Sequence, residues 1–321
     1  MSSSFLPPPP PMPMPLPYPQ LFPQPPPQQA YVTVPAFNPR TPALLLRRCT
    51  GAGQLRSLTA ANMNAEMQLI GHLMSHYTYI SIDVEYAGIV YHPAVASRNL
   101  TPDERYALVK ANVDEVPIVQ LGITLSDSQG NLPMFHDHLG LIHEMAWEVV
   151  FSDFDASRGH AHAVNSVKFL ESQGIDFDLA RLTGVSSTLF GQRLLAILPP
   201  SPEELTWSAF GAAYDMAYIL KMLTGGQPLP ESRQEFIAQT KSRLGGGRIF
   251  DSKYMVEHDQ NDLRDVGLRQ TATRLGVGQQ VQMTPMLAGY KTILASRIFS
   301  ICRLPRGGND NHHEGHIDGL V

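Results

Sequence analysis

Two acidic residues, Asp83 and Glu85, lie two positions apart in a segment that is otherwise mostly β-branched or aromatic, residues 79–88 (YISIDVEYAG). This composition predicts a strand, in which residues two apart point to the same face of the sheet. Neighbouring carboxylates on an apolar strand repel each other and are costly to desolvate. A bridging divalent cation removes both penalties, and hard oxygen ligands favour Mg²⁺ or Mn²⁺. The alternative is a strand end whose acids face water, and the spacing alone does not decide between the two.

A third acid, Asp215, interrupts an apolar segment from Thr206 to Thr224. The sequence predicts one long helix here, closed by Gly225 and Gly226 and apolar on nearly every side. Such a helix is expected to be buried, with Asp215 at its middle. A lone buried Asp must be paired, hydrogen-bonded or bound to a cation. A contact to backbone or arginine is one solution, and a metal shared with the strand acids is the other, which the nearby acid pair favours.

The remaining pattern predicts alternating helices and strands that hold these acids in place. Helices are expected at 60–76, 106–114, 164–173, 184–198, 268–275 and 284–301, and strands at 79–88, 118–125 and 147–151. Thr101 and Pro102 should begin the second helix, and Asp251 should cap a helix that opens near Phe250. A turn at 126–130 should lead into a segment that pairs back as a hairpin.

Charge and composition exclude several classes of protein. A net charge of −5 is unlike a general nucleic-acid coat, so a bound polyanion would need a local basic groove or metal ions. Only Cys49 and Cys302 are present, which excludes a disulfide framework and fits a reducing, cytoplasmic or nuclear location. No apolar run approaches the roughly 20 residues of a membrane span, and the N-terminus lacks a secretory signal pattern.

Both ends of the chain are compositionally biased. Residues 1–42 hold 16 of the 27 prolines and predict a disordered, extended tail, with the folded domain at 43–321. The tail is either a ligand for proline-recognising modules or a solvated spacer. The C-terminal histidines at 312, 313 and 316 either bind a transition metal weakly or are inert.

The segment Asp83-Val84-Glu85-Tyr86-Ala87-Gly88 resembles the D-T-E-F-P-G motif of the Caf-type (Caf/Pop) deadenylases. These are the small DEDD-type nuclease subunits of the eukaryotic Ccr–Not complex. The likeness continues in the same order from about residue 60 to 321. Further matching segments are 112–114 (NVD), 120–124 (QLGIT, family QLGLT), 172–177 (SQGIDF, family SGIxF), 214–224 (YDMAYILKMLT, family YDFGYLVKLLT) and 251–255 (DSKYM, family DVKYL).

The resemblance implies an RNase H-like α/β fold, a mixed sheet flanked by helices with the acids converging at one edge. It also implies 3′-to-5′ exoribonuclease chemistry on mRNA poly(A) through two Mg²⁺ or Mn²⁺ ions. Asp83, Glu85 and Asp215 match three of the four family carboxylates, which makes them the expected catalytic and metal-binding residues. The implied partners are poly(A) RNA, the Ccr–Not scaffold subunit and the partner deadenylase.

One motif departs from the family. The family's H-Q-A-G-S-D-S-L-L-T-G aligns on residues 279–289 (QQVQMTPMLAG), so Gln279 replaces the general-base His and Thr284 replaces the fourth metal-binding Asp. No Asp or Glu occurs between Asp265 and Asp310 to take that place in a shifted alignment. Thr offers only a neutral oxygen, and Gln cannot accept a proton at neutral pH. We therefore expect a weakened metal site and impaired catalysis in a retained fold.

The sequence leaves two functions open. The first is a deadenylase with reduced activity, in which water fills the position of the fourth ligand. The second is a catalytically inactive pseudo-nuclease that acts as a scaffold or interaction subunit of the deadenylation complex. A third, an α/β protein unrelated to RNA, is disfavoured by the order of the motifs.

Overall fold

A computed structural model describes residues 53–96, 99–136, 141–259, 263–277, 287–303 and 311–321. Several predictions fall outside these residues: the proline-rich tail and its boundary at residue 42, the replaced positions Gln279 and Thr284, and the start of the last helix at 284. Within the part that is described, no helix has both the length and the apolar character needed to cross a membrane.

The described residues form strands and helices that alternate through most of the chain. The strands are β1 (Gly53–Leu58), β2 (Tyr79–Tyr86), β3 (Ile118–Ser126), β4 (Met134–His136), β5 (Ile142–Val150), β6 (Thr206–Ala209) and β7 (Arg248–Asp251). The helices are α1 (Met63–Met74), α2 (Pro102–Glu115), α3 (Val164–Ser172), α4 (Phe177–Thr183), α5 (Ser187–Ile197), α6 (Ala213–Leu223), α7 (Arg233–Arg243), α8 (Ser252–Asp259), α9 (Leu268–Arg274) and α10 (Ala288–Arg303). Short 3₁₀ turns occur at Ala156–Arg158, Pro202–Glu204 and Asn311–His313.

The strands form one mixed sheet in the order β1-β5-β3-β2-β6-β7, with β4 paired to β5. Strand β2 runs antiparallel to β3 and parallel to β6, so it lies inside the sheet. Its residues from Ile80 to Glu85 are all buried. The expected RNase H-like architecture, a mixed sheet flanked by helices, is confirmed, and β2 is the strand that carries Asp83 and Glu85.

Most of the predicted elements are present. Helices α1, α3, α5 and α9 lie within the predicted ranges, and Thr101 caps α2 through a reciprocal hydrogen-bond pair with Glu104. Asp251 caps α8 through the backbone N–H of Lys253, at 2.9 Å. The turn after β3 forms at Asp127, which accepts from the backbone N–H groups of Gln129 and Asn131. Strand β4, however, pairs with β5, and it is β5 that pairs with β3.

The prediction of one helix from Thr206 to Thr224 is wrong. Its first part is strand β6, and the chain turns at Gly211, whose φ is 77°, before α6 begins at Ala213. Strand β6 is held between β2 and β7, and these parallel ladders satisfy its backbone in place of helical bonds. Asp215 therefore lies in the first turn of α6 and not at the middle of a helix.

Helix α10 begins in direct contact with the centre of the sheet. The hydroxyl of Thr292 donates to the backbone carbonyl of Ser81 in β2, at 2.7 Å. On β3, Gly122 lies so close to the helix that a Cβ atom there would be 2.1 Å from the carbonyl oxygen of Ala288. This close approach fixes the first turn of α10 over β2 and β3.

Replacing Gly122 with Ala should lower the free energy of unfolding by about 3 kcal/mol, because the new methyl group meets backbone atoms that cannot rotate away. Urea unfolding of the two proteins measures this difference. Gly267→Ala is the matched control, since its Cβ would meet nothing within 4 Å and its φ is −73°. The control should change stability by less than about 1 kcal/mol, and equal losses in both variants would contradict the packing argument.

Candidate active site

The two strand acids are buried inside the sheet. Asp83 and Glu85 are only 9% and 8% exposed, and they lie opposite Gly122 and Gln120 of β3. Neither acid faces water, so the alternative interpretation of this pair, as solvated acids at a strand end, is wrong. Two buried carboxylates on one face of a strand require compensation by positive charge or protons.

Asp215 lies beside this pair. The backbone N–H of Val84, between Asp83 and Glu85, donates to Asp215 Oδ1 at 2.8 Å. This bond holds α6 against β2. It also gives one oxygen of the buried Asp215 carboxylate a hydrogen-bond donor. The fold thus brings all three predicted acids to one place, while their role as metal ligands stays a prediction.

Three tyrosine rings pack together between β2 and α6, next to these acids. Tyr86, at the end of β2, stacks on Tyr214 of α6 with ring centres 5.1 Å apart, and its ring centre is 5.2 Å from that of Tyr218. The hydroxyl of Tyr218 donates to the carbonyl oxygen of Val116, which leads into β3. The first two turns of α6 are therefore fixed to both central strands, and so is the position of Asp215.

The positive charge at this site is a lysine. The Nζ atom of Lys291, in the first turn of α10, lies 2.9 Å from Glu85 Oε1 and 3.3 Å from Asp83 Oδ2. Both of these oxygens are buried, and neither accepts a well-aligned hydrogen bond. The ammonium therefore lies between the two acids and supplies a positive charge that compensates both.

The electrostatics follow from this arrangement. Burial raises the pKa of Asp83, and the adjacent Lys291 ammonium opposes that shift. Burial raises the pKa of Glu85 to about 7, with Lys291 again opposing and Asp83 adding to the rise. Burial and the charge of Asp83 raise the pKa of Asp215 well above its usual value. Burial lowers the pKa of Lys291, but the attraction of Asp83 and Glu85 outweighs it, so the net shift is upward and the lysine stays charged.

With Lys291 in this position, the described residues leave no open site for a divalent ion between the two strand acids. The carboxylates have the right chemistry, but Lys291 Nζ already lies within ion-pair distance of one oxygen from each strand acid. One oxygen of Asp215 is engaged by the backbone of Val84. Across the described ranges, no group of three or more His, Cys, Asp or Glu side chains is arranged to hold a metal. A metal at this pair would have to displace the ammonium.

Two clefts meet at Lys291. One, of about 670 Å³, is lined by Asp83, Phe210 and residues of α9 including Arg269. The other, of about 630 Å³, is lined by Glu85, Tyr86 and Ser166 of α3. Lys291 lines both clefts and its side chain is 26% exposed. Solvent therefore reaches part of the Lys291 side chain, although the carboxylates beneath it are buried.

Lys291 is not among the site residues predicted from the sequence. Its signal was available: Lys291 is the first charged residue after Arg274 and opens an apolar helical run. Charged side chains are rarely buried without a partner, and the acid pair predicted on the strand is a candidate partner for Lys291. The C-terminal histidines lie elsewhere, since the rings of His313 and His316 pack against Tyr254 of α8.

Comparisons with known proteins agree with this fold. Residues 58–187 match the model of the CAF1 family ribonuclease. Poly(A) ribonuclease pop2 of Schizosaccharomyces pombe is 31% identical over 270 residues, covering 83% of this chain and 72% of the relative. The structure of S. pombe Pop2p in its Mg²⁺- and Mn²⁺-bound form has a TM-score of 0.69 at 28% identity, covering 83% of this chain and 99% of that one. Yeast CAF1, co-crystallised with the NOT1 MIF4G domain, shares the fold with a TM-score of 0.63 at 23% identity, covering 82% and 96%.

Proposed function

Because this chain belongs to the CAF1 family of ribonucleases, we propose that it is a deadenylase-family subunit of a Ccr–Not-type complex, with impaired 3′-to-5′ exoribonuclease activity on mRNA poly(A). The observation that carries the proposal is the convergence of Asp83, Glu85 and Asp215 between β2 and α6, in the sheet that the family shares. A net-acidic chain that binds RNA here must do so locally. Mg²⁺ or Mn²⁺ supplies that positive charge when it is bound.

Two features support impaired catalysis. The aligned positions of the fourth metal ligand and the general base hold Thr284 and Gln279. Lys291 also neutralises the carboxylate pair that the metal would need. Binding of Mg²⁺ or Mn²⁺ is therefore weakened, because the ion must compete with an ammonium for the same oxygens. The chain's own groups then act mainly by holding Asp83, Glu85 and Asp215 in position.

The proposed partners follow from the family. S. pombe Pop2 is a poly(A) ribonuclease, and yeast CAF1 has been crystallised with the MIF4G domain of NOT1. We propose that this chain docks on a NOT1-type scaffold, alongside a partner deadenylase, and meets poly(A) RNA there. The proline-rich segment at 1–42 is proposed to bind proline-recognising modules. A cytoplasmic and nuclear location is supported by the two-cysteine composition.

A second candidate is a catalytically inactive subunit that keeps the scaffold contact alone. The lysine between the strand acids favours it, since a fixed ammonium fills the position of the cation without any turnover. The two candidates differ in one measurable quantity, the residual rate of poly(A) shortening above that of a variant without Asp83.

The test uses the purified full chain on 5′-labelled oligo(A) with Mg²⁺ or Mn²⁺, with S. pombe Pop2 as the reference. We expect shortening at least about a hundredfold slower than that of Pop2, and abolished by Asp83→Ala. Asp127→Ala is the matched control, because that carboxylate closes the turn after β3. A rate equal to that of Pop2 would contradict impaired catalysis. A rate that Asp83→Ala leaves unchanged would exclude hydrolysis at this site and leave the scaffold function.

A further inference from the structure

We propose that Lys291 is a built-in replacement for the metal ion: its ammonium neutralises Asp83 and Glu85 and closes the carboxylate pair to divalent cations unless the lysine is displaced. The inference rests on the proposed function only in treating the two carboxylates as a metal-binding pair. The contacts are independent of it: Lys291 Nζ lies 2.9 Å from Glu85 and 3.3 Å from Asp83.

The packing of α10 on the sheet sets the position of the Lys291 backbone. Gly122 allows the carbonyl of Ala288 to approach β3 closely, and Thr292 bonds to the carbonyl of Ser81. These two contacts flank Lys291 on α10, so the helix delivers its side chain onto the face of β2 that carries both acids. The packing of α10 therefore places the backbone of residue 291 over β2 independently of the charge contacts.

The charges of this cluster are interdependent. Without Lys291, Asp83, Glu85 and Asp215 would lie together with no other cation from the described part of the chain in an ion pair with the two strand acids. With Lys291, an additional divalent ion would have to share the same oxygens with a positive charge. The cluster therefore accepts the lysine or the metal, but not both.

The first experiment measures Mn²⁺ binding by calorimetry and by the thermal midpoint of the full chain. Lys291→Ala removes the ammonium and leaves room for an ion. We expect it to bind Mn²⁺ at least about tenfold more tightly than the unmodified chain. At free Mn²⁺ about 100 times its Kd, the midpoint of Lys291→Ala should rise by about 5 °C, while that of the unmodified chain at the same concentration should rise less.

Two control variants test whether Mn²⁺ binds at the two strand acids. Adding Asp83→Asn and Glu85→Gln to Lys291→Ala should remove the gain in Mn²⁺ binding. Lys221→Ala should leave Mn²⁺ binding unchanged, because that half-buried ammonium donates to the backbone carbonyls of Val113 and Asp114. Equal Mn²⁺ affinity in the unmodified chain and in Lys291→Ala would overturn the proposal, since the lysine would then not compete with the ion.

A mutant cycle without metal keeps the proposal testable if Lys291→Ala folds poorly. In the native background Lys291→Ala should lower the thermal midpoint by several degrees, because it leaves two buried acids without their positively charged partner. In the Asp83→Asn, Glu85→Gln background the same change should leave the midpoint unchanged or raise it, because the lysine there has lost both partners. The same loss in both backgrounds, including failure of both to fold, would overturn the proposal.

These readouts are independent of hydrolysis. If the unmodified chain shortens oligo(A) as fast as Pop2, the proposed impairment fails, whatever the mutant cycle gives. If the cycle shows no coupling between Lys291 and the acids, the lysine inference fails, while slow hydrolysis remains explained by Gln279 and Thr284.

Discussion

Combining Lys291→Ala with Gln279→His and Thr284→Asp is expected to raise oligo(A) degradation at least about a hundredfold over the unmodified chain. The aspartate supplies the fourth charged ligand of the family motif, and the imidazole supplies the base. Removing the ammonium frees the oxygens of Asp83 and Glu85 that it now engages. Loss of one such group typically costs about 10² to 10⁴ in rate, so the combined gain should be easily measured.

Partial variants separate the contributions. Gln279→His with Thr284→Asp, with Lys291 retained, should gain less than about tenfold, because the ammonium still competes for the strand acids. Lys291→Ala alone should bind metal without gaining a base. Adding Asp83→Ala to the triple variant should return the rate to background. If the unmodified chain is already as fast as the triple variant, the alignment at 279 and 284 is wrong and another group completes the site.

Local patterns predict the strand that carries Asp83 and Glu85, but not the strand, turn and helix that position Asp215. Helix α1, within the predicted range 60–76, and the β-branched run of β2 both appear where the sequence predicts them. Asp83 and Glu85 do lie side by side, because β2 is extended and residues two positions apart in a strand share a face; here both faces of the strand are buried. A two-residue period is a local property and needs no knowledge of the rest of the fold.

Tertiary contacts decided the features that the sequence analysis missed. The four residues of β6 are buried along their whole length, so they show no alternation that separates them from a buried helix. Only their pairing with β2 and β7 makes them a strand. Lys291 lies 206 positions from Glu85 in sequence, and the packing of α10 on the sheet brings the two together. The metal hypothesis was reasonable for the acids taken alone, but a neighbouring lysine satisfies the same charge requirement.

Another buried acid, Asp251, joins three separate segments of the chain. Its two oxygens accept from the backbone N–H groups of Gly211 and Ala212 before α6, at 2.8 Å each. They also accept from Lys253 at the start of α8 and from Asp318 near the C-terminus, at 2.9 Å each. Burial raises the pKa of this carboxyl, and these backbone donors oppose the rise. Through the turn before α6, Asp251 also fixes the helix that carries Asp215.

Asp251→Ala should therefore lower the free energy of unfolding by about 3 kcal/mol, because it leaves N–H groups in three segments, buried at Ala212 and partly buried at the others, without an acceptor. Asp251→Asn should lose most of the same amount, since its amide nitrogen cannot accept from Ala212 or Asp318. Urea unfolding measures both, with Asp176→Ala as the matched control: that exposed cap accepts from Leu179 alone and should cost about 1 kcal/mol. An Asp251→Ala loss no larger than that of Asp176→Ala would mean that water or a local rearrangement satisfies the freed donors, and that α6 does not depend on this acid for its position.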